Sequence, residues 1–283
     1  MSNRRMTLVL KGIAMGMAEV VPGVSGGTIA FATGIYDELI QTISRLTKPS
    51  FEEGLIGFWR LNNLQFLCLL FFGMALGVLI FSRVVNFFLH YYPSLIWAFF
   101  LGIVIATLPR FVRLVPARYL AIFGPLGVIA SLSLNYLEPF FLEVNGGLWI
   151  FFLGGIIAVC AWLLPAVSGG FFLLTLGLYD QVISALVQWD FHILVTLGSG
   201  CVIGALLFAR MLTWLMEKFR DLILASLLGL IFGSLPRLWP WQLNGELINP
   251  VSYEELAFEP MIAFTFLSFI LGVMFLWVLT RYE

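Results

Sequence analysis

The chain has 283 residues, of which 61% are hydrophobic and 11% are charged, and its formal net charge is -1. Soluble domains contain about 25% charged residues, so this composition excludes a soluble globular protein and predicts a membrane protein. Nothing in the distribution of charged residues indicates binding to nucleic acid.

The first apolar segment of the chain contains the string PGVSGG at 22–27, and a later apolar segment contains PAVSGG at 165–170. Proline removes a backbone donor and disfavours helix at the preceding residue, while glycine allows backbone conformations closed to other residues. We therefore predict that each segment is a broken helix, with Pro22, Gly23 and Pro165 at the breaks. The arms before the breaks are expected to end near residues 21 and 164, and the arms after them to cover 28–36 and 171–179.

Uncharged runs follow each broken segment, and a hydrocarbon core of roughly 30 Å needs about 20 helical residues to cross it. The runs cover 61–82, 84–109 and 119–137 after the first segment, and 191–209, 222–236 with its extension 238–245, and 260–280 after the second. The sequence thus predicts an all-α polytopic membrane protein with three transmembrane helices in each half.

The two halves are related in sequence. VPGVSGGTIAFATGIYDELI (21–40) aligns with LPAVSGGFFLLTLGLYDQVI (164–183) at an offset of 143, and Leu-Pro-Arg at 108–110 recurs at 235–237 at an offset of 127. Such self-similarity indicates two repeats, residues 1–145 and 146–283. Each repeat is predicted to consist of a re-entrant helical hairpin, at about 12–42 and 147–187, followed by three transmembrane helices.

The placement of lysine and arginine favours inverted repeats. If each broken segment enters and leaves the membrane on the same side, each half crosses three times, and an odd number of crossings inverts the second half. Nearly all basic residues then lie on the cytoplasmic side with both termini, Arg237 lies outside, and Arg83 and Arg210 lie within the membrane. Single crossings would divide the basic residues almost equally, against the positive-inside rule.

The residues that follow each break have the features of an anion site. The first N–H groups of a helix have no intrahelical acceptor, so a helix N-terminus with a serine hydroxyl suits a phosphate, as does a planar guanidinium. Close packing of glycines would explain the strings otherwise, and snorkelling or an ion pair would explain the arginines. The predicted phosphate-binding residues are Ser25, Gly26, Gly27, Thr28, Ser168, Gly169, Gly170, Arg83 and Arg210.

Three acidic residues are candidates for proton or charge coupling. Glu19 lies three residues before Pro22, and its repeat equivalent is Trp162, so the repeat does not require an acid there. An ion pair with an arginine or hydrogen bonds to loop amides are alternative roles for Glu19. Asp37 and Asp180 close a repeated Gly-x-Tyr-Asp string, where capping or interfacial anchoring explains them equally well. The histidines and cysteines have no metal-ligand spacing, so no metal or cofactor is expected.

KGIAMGMAEVVPGVSGGTIAFATGIYDELI (11–40) together with LLPAVSGGFFLLTLGLYDQVI (163–183) resembles the PopT-type polyprenyl-phosphate transporters, and the resemblance covers nearly the whole chain. It implies a bacterial plasma-membrane protein, not an enzyme, that returns undecaprenyl phosphate, the lipid carrier of cell-wall precursor synthesis, from the outer to the inner leaflet. The implied site residues are Glu19, Pro22, Gly23, Ser25, Gly26, Gly27 and Thr28, with Pro165, Ser168, Gly169 and Gly170 opposite them. Two positions depart from the family pattern, because Glu19 stands where aspartate is common and Ala166 where glycine is expected.

Two other functions fit the broken segments. An ion-coupled carrier of a small anion such as phosphate would use the same loops. An intramembrane polyprenyl-pyrophosphate phosphatase would need Ser25 or Ser168 as a nucleophile with a general base in reach, yet neither hairpin contains a histidine. The expected partners are a polyprenyl-phosphate lipid and the membrane, while coupling to protons and homo-oligomerisation are left open.

Overall fold

The computed structural model describes residues 2–21, 24–47, 54–134, 147–243, 246–256 and 259–281, and nearly all of them are helical. The helices of the first half are α1 (Ser2–Glu19), α2 (Gly26–Ala32), α3 (Tyr36–Arg45), α4 (Gly54–Leu61), α5 (Leu64–Tyr91), α6 (Pro93–Val112) and α7 (Ala117–Ser133). Those of the second half are α8 (Trp149–Leu163), α9 (Gly169–Thr175), α10 (Tyr179–Gln188), α11 (Phe191–Lys218), α12 (Arg220–Ser234), α13 (Pro250–Leu256) and α14 (Ile262–Arg281). A 3-10 helix, Leu235–Leu238, extends α12, and strands β1 (Gln242–Leu243) and β2 (Glu246–Leu247) pair antiparallel.

Within the described ranges, five helices are long and apolar enough to cross a bilayer: α5, α6, α11, α12 with its 3-10 extension, and α14. The bent pair α9–α10 would make a sixth if it counts as one span. Large apolar side chains such as Leu79, Leu207 and Phe266 are exposed on these helices. Such a surface is unfavourable in water and compatible with lipid, so the chain is a multi-pass membrane protein, and the class predicted from composition is confirmed.

The helices continue past the charged residues that end the uncharged runs. The runs stop before Arg83 and Arg210, but α5 and α11 each have 28 residues and continue to Tyr91 and Lys218. At 1.5 Å per residue each helix is about 42 Å long, with its arginine about 28 Å from the start. Helix α6 begins only at Pro93, where proline at the first helical position has no donor to lose.

Glycines bring α1 onto α5 and α8 onto α11 through matching contacts. Gly12 packs against the backbone oxygen of Leu70, and its repeat equivalent Gly155 packs against that of Leu197. The other matching pairs are Gly73 with Val9 and Gly200 with Phe152, and Gly77 with Ile13 and Gly204 with Ile156. All of them follow the offsets of the sequence repeat, 143 for the first helix and 127 for the second, so both halves use the same close helix packing.

The remaining spans are exchanged between the halves. Helix α6 packs against α14, and α12 packs against α7. Gly102 of α6 contacts Phe269, while its repeat equivalent Gly229 of α12 contacts Gly124. The reverse contacts, Gly272 with Phe99 and Gly127 with Ser226, match in the same way. Such an exchange is the arrangement that a two-fold axis between two repeats produces.

Both broken segments are broken where the strings predict. Helix α1 ends at Glu19 and α8 at Leu163, and Leu164 before Pro165 has extended backbone. Ser25 and Ser168, also extended, are the N-caps of α2 and α9. Pro22, Gly23 and the boundary between the repeats near residue 145 lie outside the described residues.

The arms after the breaks are shorter than predicted. They end at Ala32 and Thr175, because Gly34 and Gly177 adopt left-handed backbone (φ 75° and 71°) and close each helix. Ile35 N–H to the oxygen of Ala30 and Leu178 N–H to that of Leu173 complete this C-terminal motif. A new helix then starts, and α9 and α10 meet at an angle of 108°. The repeated Gly-x-Tyr-Asp string therefore encodes a helix stop followed by a restart, with its aspartate in the first turn of the next helix.

Candidate functional site

In the first tip, residues 24–28, the amides that open α2 are bound by groups of the same hairpin. The N–H of Gly26 donates to Oε1 of Glu19 at 2.6 Å, and the N–H of Gly27 donates to Oγ of Ser25 at 3.1 Å. The N–H of Thr28 donates to the backbone oxygen of Ser25 at 2.9 Å. All four residues from Ser25 to Thr28 are buried. The first tip is therefore closed in this conformation.

The two hairpins meet, and the described residues form three hydrogen bonds between them. They run from Nε1 of Trp162 to Oε1 of Glu19 (2.7 Å), from the N–H of Ala166 to Oγ1 of Thr28 (2.8 Å) and from the hydroxyl of Tyr36 to the backbone oxygen of Leu163 (2.8 Å). Gly27 lies against the backbone oxygens of Trp162 and Leu164. The two serine–glycine strings, 143 residues apart in sequence, thus come together in space.

The second tip, residues 164–171, is exposed only at Gly170 and is buried or half-buried elsewhere. The N–H groups of Gly169 and Gly170 donate no hydrogen bond to any residue that the structure describes, and Gly170 is exposed. A Cβ at Gly170 would meet only Oγ of Ser168, at 3.8 Å. That Oγ accepts a long bond from the N–H of Phe171, at 3.4 Å. The second tip therefore has an exposed, unused amide at Gly170 beside the half-buried hydroxyl of Ser168, and such groups can donate hydrogen bonds to an anion.

Ala166 adopts a conformation that normally belongs to glycine. Its φ is +66°, in the left-handed region, which costs an alanine roughly 1–2 kcal/mol. The same backbone orients the Ala166 N–H toward Oγ1 of Thr28 and lets Val167 donate to the oxygen of Leu164. The second tip thus contains a turn that normally needs glycine, and the repeat equivalent of Ala166 in sequence is Gly23.

Among the described residues, Glu19 is hydrogen-bonded to groups of both hairpins and is not paired with an arginine. Its Oε1 accepts from the Gly26 amide of its own hairpin and from the indole of Trp162 in the other hairpin. Of the alternatives raised from sequence, the hydrogen bond to a loop amide is the one observed. The carboxylate of Glu19 therefore lies between the two hairpins. Its role in proton coupling remains a prediction.

Arg83 and Arg210 are not brought to the tips by any contact. Both side chains are exposed on α5 and α11, and neither forms a hydrogen bond or ion pair with the residues described. Each arginine lies eight residues before the end of a 28-residue helix, and phosphate binding by either one stays a prediction.

Asp37 and Asp180 have different environments. Asp37, in the first turn of α3, accepts from Nη2 of Arg220 at 2.7 Å, and this ion pair joins the two halves. Asp180 is exposed on α10 and borders an open cavity of about 270 Å³ together with Asp190. The aspartate of the Gly-x-Tyr-Asp string is therefore paired with an arginine of the other half in the first hairpin and is exposed in the second.

This difference extends along both helices. Helix α3 packs against α11 of the other half, and Tyr36 and Ile40 are only 2% and 1% exposed. Helix α10 makes no comparable contact with α5, and the equivalents Tyr179 and Ile183 are each 41% exposed. In this conformation the first hairpin is docked, meaning that its α3 packs against α11 of the other half. The second hairpin is undocked, because its α10 does not pack against α5 in the same way.

Two residues at the hairpin interface were not among the predicted site residues. Trp162 and Tyr36 each donate a hydrogen bond across the hairpin interface, over separations of 143 and 127 residues. The sequence held one signal for each, since Trp162 aligns with Glu19 and Tyr36 belongs to the repeated Gly-x-Tyr-Asp string.

Comparison with known proteins identifies the family of the chain. Residues 15–254 match the family described as VCA0040-like, undecaprenyl phosphate translocase-like. The chain belongs to this family. A polyprenyl-phosphate transporter of Vibrio cholerae serotype O1 is 38% identical over 242 residues, 82% of this chain and 77% of that protein. A polyprenyl-phosphate transporter of Staphylococcus aureus is 29% identical over 252 residues, 82% of this chain and 85% of that protein. No solved structure matches the chain.

Proposed function

We propose that the protein translocates a polyprenyl phosphate, with undecaprenyl phosphate as the expected lipid, from the outer to the inner leaflet of a bacterial plasma membrane. The family match carries this proposal, because residues 15–254 include both tips and the spans between them. The relatives are named as transporters, so the proposed role is translocation without chemical change of the lipid. Recycling of the carrier for peptidoglycan synthesis is the corresponding cellular role.

The proposed topology is two inverted repeats, each with a re-entrant hairpin and three crossings, and both termini in the cytoplasm. The exchanged contacts of α6 with α14 and α12 with α7 support a two-fold relation between the halves. The helix breaks at both strings and the 108° bend between α9 and α10 support hairpins that turn back within the membrane. Irregular backbone is tolerated there only when protein or a polar cavity surrounds it.

In the proposed mechanism, the phosphate binds at the tips while the isoprenoid tail stays in lipid. An unpaired anion in hydrocarbon is prohibitively costly, so donors must replace its hydration at mid-membrane. The proposed donors in the present conformation are the exposed amide of Gly170 and the hydroxyl of Ser168, and the buried amide of Gly169 would join them on binding. Ser25, Gly26, Gly27 and Thr28 would become accessible when the first hairpin undocks and the second docks, as in other transporters built from inverted repeats.

Leaflet exchange in liposomes tests the proposal. Purified protein is reconstituted with a fluorescent polyprenyl phosphate, and the fraction of probe accessible to a membrane-impermeant quencher is followed in time. We expect exchange faster than in protein-free liposomes for the phosphate and no acceleration for the uncharged polyprenol. Exchange at the protein-free rate would overturn the proposed function.

The same preparation separates the other functions considered. Uptake of inorganic phosphate with no lipid exchange would indicate a small-anion carrier. Release of inorganic phosphate from polyprenyl pyrophosphate would indicate an enzyme. For the enzyme, both serine oxygens are already engaged: Oγ of Ser25 is buried and accepts from the Gly27 amide, and Oγ of Ser168 accepts from the Phe171 amide.

A further inference from the structure

A polar cavity lies where the first hairpin meets the start of α5. Its volume is about 170 Å³, and it is lined by the first two turns of α1, by Glu38 on α3 and by residues between 63 and 69. Arg5 and Glu19 are 14 residues apart on α1, which is about 21 Å along the helix axis. The cavity is therefore separate from the tips, and in the proposed topology it lies at the cytoplasmic side.

Two arginines are held at this cavity. Nη2 of Arg4 donates to both carboxylate oxygens of Glu38, at 3.0 and 3.2 Å, and Nδ2 of Asn63 donates to the same carboxylate at 3.0 Å. With the amide of Gln65 oriented so that its oxygen accepts, that oxygen receives bonds from Nε and Nη2 of Arg5 at 2.8 and 3.2 Å. Neither guanidinium forms a further hydrogen bond to the residues described, so each keeps donors on Nη1 for a ligand.

The cavity combines positive charge with apolar side chains. Its charged lining residues are the two arginines and Glu38, which gives a formal charge of +1. The Arg4–Glu38 pair lies at the surface, with 75% and 31% of the two side chains exposed. Such a pair contributes little stability, so phosphate oxygens can replace the carboxylate beside Arg4. Leu8 and Phe66 also line the cavity and are buried. A phosphate attached to a hydrocarbon chain suits this lining.

The second half has an equivalent cavity of opposite charge. It is the cavity of about 270 Å³ at α10, and the offset of 127 places its Asp190 at the position of Asn63. The offset of 143 places Gly147 at the position of Arg4. The charged residues that the structure describes in its lining are Asp180 and Asp190, so its formal charge is -2. The fold thus forms this cavity in both halves, and the sequence makes it basic in the first half alone.

We propose that the basic cavity binds the phosphate-bearing headgroup of a lipid at the cytoplasmic side, with Arg4 and Arg5 as its ligands. The inference rests on the proposed function and deepens it, because it gives the headgroup a binding site at the inner leaflet after it leaves the tips. The phosphate of a polyprenyl phosphate and that of an anionic phospholipid share this chemistry. With the acidic cavity at the outer side, the charge difference favours the phosphate at the inner side.

Photolabelling of the purified full-length protein tests the assignment. The probe is a polyprenyl phosphate with a diazirine on its first isoprene unit, and mass spectrometry locates the labelled residues. We expect label at residues 62–69 in the wild type, and a decrease of about tenfold or more in the double variant Arg4→Gln, Arg5→Gln, as loss of charge-assisted hydrogen bonds predicts. Glu38→Gln should increase the label, because it removes a competing charge and keeps an acceptor for Arg4. Arg113→Gln, at an exposed arginine on the same proposed side, is the matched control and should be labelled as the wild type is.

Competition with unlabelled lipids identifies the occupant. Displacement of the probe by polyprenyl phosphate alone indicates the transported lipid. Equal displacement by phosphatidylglycerol indicates a general site for lipid phosphates, and either result supports the assignment. Displacement by uncharged polyprenol that equals displacement by the phosphate contradicts it.

The assignment is also wrong if residues 62–69 carry no label in the wild type, or if the double arginine variant is labelled there to the same extent. Should that variant fail to fold, Glu38→Gln decides, because a site for an anion gains label when a carboxylate is removed. Unchanged or decreased label in Glu38→Gln then rejects the site. Failure of the proposed function is seen separately, as absence of leaflet exchange by wild-type protein whose cavity is nevertheless labelled.

Discussion

Glu19 is bonded to its own repeat equivalent, Trp162, and this is a relation that no local pattern contains. The carboxylate accepts from the indole and from the Gly26 amide, so one oxygen holds the closed tip and joins the hairpins. The sequence predicted the breaks, since these depend on residues within a few positions. It could not predict the partner of Glu19, because that partner is set by how the two hairpins meet.

Glu19→Gln is expected to keep both hydrogen bonds, because an amide oxygen also accepts, and to remove the charge. If Glu19 couples transport to protons, leaflet exchange in liposomes will lose its pH dependence in this variant. Glu19→Asp, which retains an ionisable group, is the matched control and should keep a pH dependence. An unchanged pH profile in Glu19→Gln would exclude the coupling role.

Gly27 and Gly170 are repeat equivalents with different surroundings, and alanine should affect them differently. A Cβ at Gly27 would lie 2.8 Å from the backbone oxygen of Trp162, so Gly27→Ala should lower the thermal unfolding temperature. Gly170 has room for the same methyl group, so Gly170→Ala should unfold at the wild-type temperature.

If the second tip binds the headgroup, that methyl will crowd the phosphate, and Gly170→Ala will slow leaflet exchange. Thermal melts in detergent and the liposome assay measure the two effects. A variant at Gly170 that is stable and exchanges lipid at the wild-type rate would argue against binding at this tip.

At the level of elements, glycine decides where helices stop and how closely they pack. The sequence predicted the broken segments, but it overestimated their second arms, because apolar residues continue past the stop at Gly34 and Gly177. For α5 and α11 the predicted lengths were too short, because the prediction ended each helix at a charged residue. Arg83 and Arg210 interrupt an apolar run without interrupting the helix, since an exposed arginine can extend along the surface toward the interface.

Two glycines of α11 offer a matched test of this packing. Gly200 packs against the backbone oxygen of Phe152, whereas a Cβ at Gly198 would meet no atom within 4 Å. Gly200→Ala should separate α11 from α8 and destabilise the protein by about 1–3 kcal/mol. Gly198→Ala should be neutral or slightly stabilising, because alanine favours helix over glycine. Equal unfolding temperatures of the two variants would contradict the close contact.

At the scale of the whole molecule, the repeat predicts a second conformation. The docked contact of α3 with α11 includes Ile40 and Met216, which border one cavity with Asp37. Applying the offsets of 143 and 127 to this contact gives Ile183 on α10 and Leu89 on α5. The exposed face of α10 would then dock against α5, with Asp180 near His90, while α3 undocks.

Pairs of cysteines test this exchange in a variant that lacks the three native cysteines. Ile40→Cys with Met216→Cys should cross-link with a short bifunctional reagent in the conformation described here. Ile183→Cys with Leu89→Cys should cross-link only in the exchanged conformation, and its yield should rise when polyprenyl phosphate is added. If the second pair never cross-links in protein that actively exchanges lipid, the exchanged conformation is wrong.

The two halves were identifiable from sequence because their strings and offsets survive, but their mutual packing was not. Nothing in residues 93–112 specifies that Gly102 should contact Phe269 rather than a residue of its own half. The choice depends on contacts between the first and second halves of the chain, which also pair α7 with α12. The same holds for the tips, where each string was evident and their direct contact was not.

The exchanged pairing has a consequence for biosynthesis. The glycine faces of α6 and α7 have their partners on α14 and α12, which leave the ribosome last. The earlier helices must therefore wait in the translocon or in lipid with these faces uncovered. Co-expressed fragments 1–140 and 141–283 should assemble with each other, whereas the N-terminal fragment alone should be degraded.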